Sequence, residues 1–202
     1  MYYYRQIRTS PFSKEELKDL TKAWLIISVA FAIVISNSFL SLRFFFSFIL
    51  SGLTVGIGFI AHELAHKFVA QHYGCFAEFR AFNTMLMLAL IMSFLGFVFA
   101  APGAVIISGP IGRRRNGKIS AAGPIANLIL AGLFFILTYF SKGIIKLISN
   151  YGFMINAWLA LFNLIPIGNF DGKKVLDWNR NIYILLFGIA FLLMIINSIS
   201  GL

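Results

Sequence analysis

Charge is scarce in this chain. Only 12% of its 202 residues are Asp, Glu, Lys or Arg, against about 25% in an ordinary soluble domain. Seven residues are acidic and three are histidine. The single cysteine, Cys75, excludes an intrachain disulfide and leaves nothing that points to an oxidising compartment. There is no internal repeat, no low-complexity linker and no room for an appended soluble domain. A net charge of +10 comes with no nucleic-acid-binding motif, so nucleic acid is not an expected partner. What the chain does have is apolar surface: 59% hydrophobic residues, 23 of them Phe, and a mean hydropathy of +0.86. A soluble fold of this size has no core large enough to hide it. The expected fold class is therefore an all-α membrane protein, a polytopic helical bundle with the lipid bilayer as its solvent.

Residues 1–22 form a polar lead-in, expected at the cytoplasmic or interfacial side, and residues 23–202 a single intramembrane domain. Ser13-Lys14-Glu15-Glu16 has the pattern of a capping box that opens a helix. Apolar stretches then run over 24–42, 44–74, 84–108, 120–140, about 149–166 and 181–199, each of about the 20 residues that a crossing needs or longer. The polar lead is too extended, and the first run too long, for a cleaved signal peptide. The 84–108 stretch is broken by Gly96 and by Ala101-Pro102-Gly103. A basic loop, Arg113 to Lys118, follows it.

Ionisable groups inside such stretches are costly and mark function. Three acids sit in the first 19 positions and Asp177 lies in a polar loop, which leaves Glu63, Glu78 and Asp171. Glu63 is the deepest. It belongs to His62-Glu63-Leu64-Ala65-His66, in which the two histidines project from one helix face about a turn apart. Both imidazoles can bind one metal ion, and Glu63 can act as general base on an activated water. In a soluble protein, two backbone-bonded histidines with Glu63 as counter-charge would compete with this reading. In a membrane helix three adjacent polar groups need a stronger reason. His72, beside Gln71 and Tyr73, reads as interfacial.

A catalytic site needs a third protein ligand and an open position. Asp171 is the candidate, in Asn163-Leu164-Ile165-Pro166-Ile167-Gly168-Asn169-Phe170-Asp171-Gly172. Pro166 breaks the preceding helix, and Gly172 permits a sharp turn after the Asp. Spacing alone equally allows an exposed turn Asp. Three motifs in order, His62-Glu63-x-x-His66, Gly123-Pro124-x-x-Asn127 and Asn163-x-x-Pro166-x-x-x-x-Asp171-Gly172, resemble the site-2 protease family of intramembrane metalloproteases. The likeness spans about 55–175. It implies that His62, His66 and Asp171 hold one zinc ion and that Glu63 is the catalytic acid/base. It also implies that Asn127 and Asn163 lie near the site, bonding substrate backbone or a developing oxyanion. Helix–helix hydrogen bonding is the plainer role for these amides. Members of that family often carry PDZ or CBS domains, and neither is expected here.

Topology can be tested on charge. If 84–108 crosses the membrane, the chain has six crossings, and Asp171 emerges opposite the face His66 approaches. The positive residues then divide 9 against 8. If 84–108 dips in and returns, there are five crossings and His66, Asn127 and Asp171 share a side. One side then holds 14 of the 17 Lys and Arg, and only Arg43, Lys142 and Lys146 lie on the other. Such a bias marks the cytoplasmic side. Residues 84–108 are thus expected to be re-entrant or partly β, with strand character at Ala104-Val105-Ile106-Ile107-Ser108. An edge there can hold an extended peptide, although plain packing explains the apolar run too.

The expected activity is zinc-dependent hydrolysis of peptide bonds within or near transmembrane segments of membrane-protein substrates. The expected location is multi-pass in the cell membrane, N-terminus cytoplasmic, with the active site nearer that face. Two other classes use the same residues: a membrane metal-ion transporter with a His/His/Asp transit site, and a catalytically inactive membrane scaffold. A CAAX-type membrane protease is disfavoured, because its third ligand is usually Glu and no Glu follows residue 78.

Overall fold

The computed structural model describes residues 12–98 and 102–200. The first eleven residues, which include Arg5 and Arg8 of the charge count, lie outside them, as does Ala101. Helix α1 spans Lys14–Ser36. Ser13 caps it by accepting from the Glu16 N–H at 3.0 Å, which is half of the expected capping box. The other half is absent, because the Glu16 carboxylate is engaged elsewhere. The helix starts ten residues before the apolar run it was read from. It also stops short of residue 42. Asn37 turns into the left-handed region (φ 50°) and its N–H closes on the Ile33 carbonyl, an Asn C-terminal cap. Ser41 then caps the next helix by accepting from the Phe44 N–H.

That helix, α2, runs over Leu42–His72 and is 31 residues long. One turn of it, Gly52–Gly56, is π-helical. Trp24 of α1 lies on this turn and donates its indole N–H to the Gly52 carbonyl at 3.1 Å. A side chain at Gly56 would overlap the same indole ring, so small residues let α1 and α2 approach closely. Strand β1, Phe76–Ala81, pairs antiparallel with β2, Gly103–Ser108, in the register Phe76↔Ser108 to Ala81↔Gly103. Between them lies α3, Asn83–Ser93. At 11 residues α3 is about 16 Å long, half the thickness of a bilayer core. The 84–108 stretch therefore does not form a spanning helix. Its described residues form a short helix and a strand that pairs with β1, the partly β form expected of it.

The remaining helices are α4 (Arg113–Phe140), α5 (Gly143–Asn163), α6 (Asp171–Trp178) and α7 (Arg180–Ser200). The basic segment 113–118, expected to be a loop, forms instead the first turns of α4. Likewise α5 begins earlier than 149 and ends before Pro166. Among the described residues, five helices are long and apolar enough to cross a membrane: α1, α2, α4, α5 and α7. The chain is a helical membrane bundle, with one small sheet among the described residues.

Helix α4 is central and touches α2, α5, α6 and α7. Lipid tails are as apolar as leucine, so close van der Waals contact holds these helices together. Small buried residues supply it: Ala121 and Ala131 on α4, Ala157 and Ala160 on α5, Ala190 on α7. A second apolar cluster joins α1, α2, β1, α3 and α5 through Leu20, Ile27, Phe59, Phe79, Leu86 and Ile155. It seats the sheet against the helix that carries the two histidines.

Candidate metal centre

His62 and His66 are buried on α2, and their Nε2 atoms lie 3.0 Å apart. The Asp171 Oδ2 approaches both, at 3.3 Å from His62 and 3.0 Å from His66. One ligand atom from each of the three falls within 4.8 Å of the others. The exposed-turn reading of Asp171 fails here: it is buried and opens α6, where the helix N-terminus favours a negative charge.

The path of the chain to Asp171 differs in one respect from expectation. The turn after α5 is made by Gly168, whose φ is 53°. Gly172 is helical and serves another purpose. A Cβ there would collide with the backbone of Leu164, at the end of α5. The Asp-Gly pair thus works by close approach rather than by turning.

The opposite ring nitrogens are tied down. His66 Nδ1 lies 2.7 Å from the carbonyl of Ile119 on α4. His62 Nδ1 lies 2.7 Å from the Oδ1 of Asn127. The orientation of the Asn127 amide is fixed by its other contacts. Its Nδ2 donates to the Gly58 carbonyl at 3.0 Å and to Asn156 Oδ1 at 3.0 Å. Asn156 in turn donates to the Gly152 carbonyl at 2.9 Å. Backbone carbonyls accept only, so every amide in this chain has a single consistent orientation. Both Nδ1 atoms must therefore donate. Both Nε2 atoms are left to present lone pairs towards each other and towards a carboxylate. Three electron-rich atoms at such spacing need a positive species between them, a proton or a metal ion. Two imidazoles and one carboxylate, converging and each supported from behind, suit zinc.

Gly123 explains the second motif. A Cβ on it would press on ring atoms of both His62 and His66. Only glycine lets α4 cross this close to α2. Pro124 follows inside α4 and removes one helical hydrogen bond, next to the turn whose Ile119 carbonyl holds His66.

Asn127 is fully buried and both of its amide hydrogens are used. The expected contact with substrate is thus replaced by support of His62. Asn163 ends α5, and its amide donates back to the Leu159 carbonyl at 2.9 Å. Glu63 is buried, with its carboxylate facing the backbone N–H of Val105 on β2. Lys174 stands 3.7 Å from Asp171 Oδ1. His72, read as interfacial, is exposed.

The chain is 43% identical over 176 residues to a protein of Methanocaldococcus jannaschii named as a zinc metalloprotease, a match that covers 85% of this chain and 88% of the relative. The chain belongs to this zinc metalloprotease family. A Bacillus subtilis protein also named as a zinc metalloprotease is 30% identical over 157 residues, covering 62% of this chain and 66% of its own length. No family model matches the chain. No solved structure matches it either. Zinc is the metal that the family and the donor set together support.

Three features of the site were not foreseen from sequence: Asn156, the Ile119 carbonyl and the purpose of Gly123. Asn156 carried a signal, since it is an amide in an apolar helix and open to the same cost argument as Asn127. The Ile119 carbonyl carried none, because every residue has the same backbone carbonyl.

Proposed function

We propose that this protein is an intramembrane zinc metalloprotease of the site-2 type, which hydrolyses peptide bonds within or near transmembrane segments of membrane proteins. The observation that carries the reading is the convergence of His62, His66 and Asp171 beside Glu63, on a buried face of a 31-residue apolar helix. His62 and His66 would hold zinc through Nε2, and Asp171 through its carboxylate. Bound zinc supplies a Lewis acid that activates water near neutral pH and stabilises charge on the scissile carbonyl. Glu63 takes a proton from the attacking water on its carboxylate and delivers it to the leaving amine. Asn127 and Ile119 keep the imidazoles in the tautomer that leaves Nε2 free. Asn163, at the end of α5, remains the candidate for contact with substrate backbone.

Strand β2 gives the substrate a place. Among the described residues only β1 pairs with it, and Val105 on its other edge faces Glu63. An extended peptide added to this edge would bring its backbone alongside the general base. A transmembrane substrate must unwind to fit, so the substrates would carry helix-weakening residues near the cleavage point. Entry from the lipid would pass between α1 and α7, which contribute no ligand. Five candidate spans with 14 positive residues on one side support a cytoplasmic N-terminus, an external C-terminus and a centre nearer the cytoplasmic face of the cell membrane.

Glu63→Gln tests the reading. The purified variant should bind zinc as the parent does and lose cleavage of a transmembrane peptide by about 10²–10⁴-fold, the scale of general acid–base catalysis. Unchanged cleavage refutes the mechanism. Zinc flux into vesicles that survives the substitution, with no cleavage by either form, would select the transporter class instead.

A further inference from the structure

One carboxylate that the proposed mechanism does not use is fully buried. Glu16, in the first turn of α1, has no exposed surface. Its Oε2 pairs with Lys67 Nζ at 2.5 Å, and Lys67 is equally buried. Its Oε1 accepts from the Phe79 N–H on β1 at 3.0 Å. Lys67 also lies over the Phe12 ring, 3.9 Å from its centroid. Buried ion pairs cost desolvation and are often replaceable by apolar residues without loss of stability. Where one is kept, a role in specificity is a reasonable expectation.

The connections of Glu16 indicate which role. Lys67 directly follows His66 on α2. Phe79 is paired with Val105 across the sheet. In an antiparallel ladder, paired residues turn their N–H groups both inward or both outward. The Phe79 N–H points out to Glu16, so the Val105 N–H points out on the opposite edge, towards Glu63. Asp19 extends the same arrangement by accepting from the Ala81 N–H at 3.2 Å. The outer edge of β1 is thereby closed by α1 carboxylates, and among the described residues no strand pairs with the other edge of β2, the one that meets Glu63. Gln71 of α2 adds a second tie, to the Ala77 carbonyl at 3.2 Å, nearer the end of the strand.

We propose that Glu16 is a positioning residue for substrate docking: its one carboxylate ties β1 to the helix that bears His62, Glu63 and His66, and so sets the spacing between the β2 edge and Glu63. This rests on the peptidase reading above. It also assigns α1 a task beyond crossing the membrane. The first span holds the sheet in register with the metal helix.

Two double variants of the full chain separate positioning from mere stability. Glu16→Gln with Lys67→Met leaves no unpaired charge and keeps an acceptor for the Phe79 N–H. Glu16→Leu with Lys67→Met leaves no unpaired charge and no acceptor. Zinc content, hydrogen exchange over residues 76–81 and 103–108, and kcat and KM on an unfolded peptide substrate are measured for each. The Leu/Met protein should retain zinc, exchange faster at Phe79 and Val105, and show KM raised about 5–10-fold, the scale of one lost hydrogen bond, with kcat changed much less. The Gln/Met protein should resemble the parent in all three. An unchanged KM and unchanged exchange in the Leu/Met protein overturn the proposal. So does a loss of zinc together with faster exchange throughout α2, which would make Glu16 a general stabiliser. A parent protein that cleaves no peptide refutes the peptidase reading by itself. Exchange at Val105 then decides whether Glu16 positions β2, and protection unaltered in the Leu/Met protein overturns it.

Discussion

Helices α2 and α7 are both long and apolar enough to cross a membrane, yet the protein uses them differently. Within its most apolar window, 56% of α2 is buried, against 11% of α7. On α7, Ile184, Leu185, Phe191 and Leu192 all face outward. On α2, His62, Glu63, His66 and Lys67 are all buried. Hydropathy does not separate the two, since α7 is the more apolar. Polar groups do. An apolar side chain gains little by leaving lipid for protein, whereas a buried imidazole or carboxylate needs a partner on another helix. A span with four such groups is drawn to the centre of the bundle, and a span without them remains at the rim.

The contrast can be broken by substitution. The largest effect is expected for Asp171→Ala, which takes away one of the three converging candidate ligands on the α2 side. Zinc content of the purified protein should collapse, with affinity reduced well beyond the roughly 10–100-fold typical of losing a supporting group, and cleavage should vanish. Stoichiometric zinc in this variant would show that Asp171 is not a ligand. Next comes Gly123→Ala. Its methyl group meets both imidazoles, so zinc affinity should fall and stability should drop by about 1–3 kcal/mol, the range for overpacking. A thermal melt alongside a zinc titration measures both.

Asn127→Ala should act on His62 alone. It leaves the imidazole without its acceptor, and zinc affinity should fall about 10–100-fold while the fold persists; competition with a metal chelator reads this directly. An affinity equal to the parent's would mean that the amide network does not support the ligand. The smallest effect belongs to α7. Leu192 is 54% exposed on the outer face, and Leu192→Ala should change stability by no more than about 0.5 kcal/mol. Zinc content and kcat should not move. Loss of either would place α7 in the working part of the molecule and end the contrast with α2.

The sequence disclosed some of this because polar residues are conspicuous against an apolar background. His62, Glu63, His66 and Asp171 stood out for that reason, and the structure brings the three metal-binding candidates together. The bias of positive charge made 84–108 a segment that turns back, and α3 with β2 has that form. Strand β1 was missed. Its sequence, Phe76 to Ala81, carries Glu78 and Arg80 and lacks a long apolar alternation, so its pairing with β2 is a long-range choice. The cap at Ser13 was legible in the sequence, but the end of α1 was misplaced because the Asn37 cap outweighed composition.

By itself, then, the sequence determined that this is a membrane bundle holding two histidines and a glutamate on one helical turn, because hydropathy and i, i+4 spacing are local properties. Only the tertiary structure decided that Asn127 bonds His62 and Asn156, that Gly123 and Gly172 are clearances for neighbouring groups, and that Glu16 joins the sheet to the helix of the two histidines. Each of these depends on which atom lies opposite, and that is set by the packing of segments far apart in the chain.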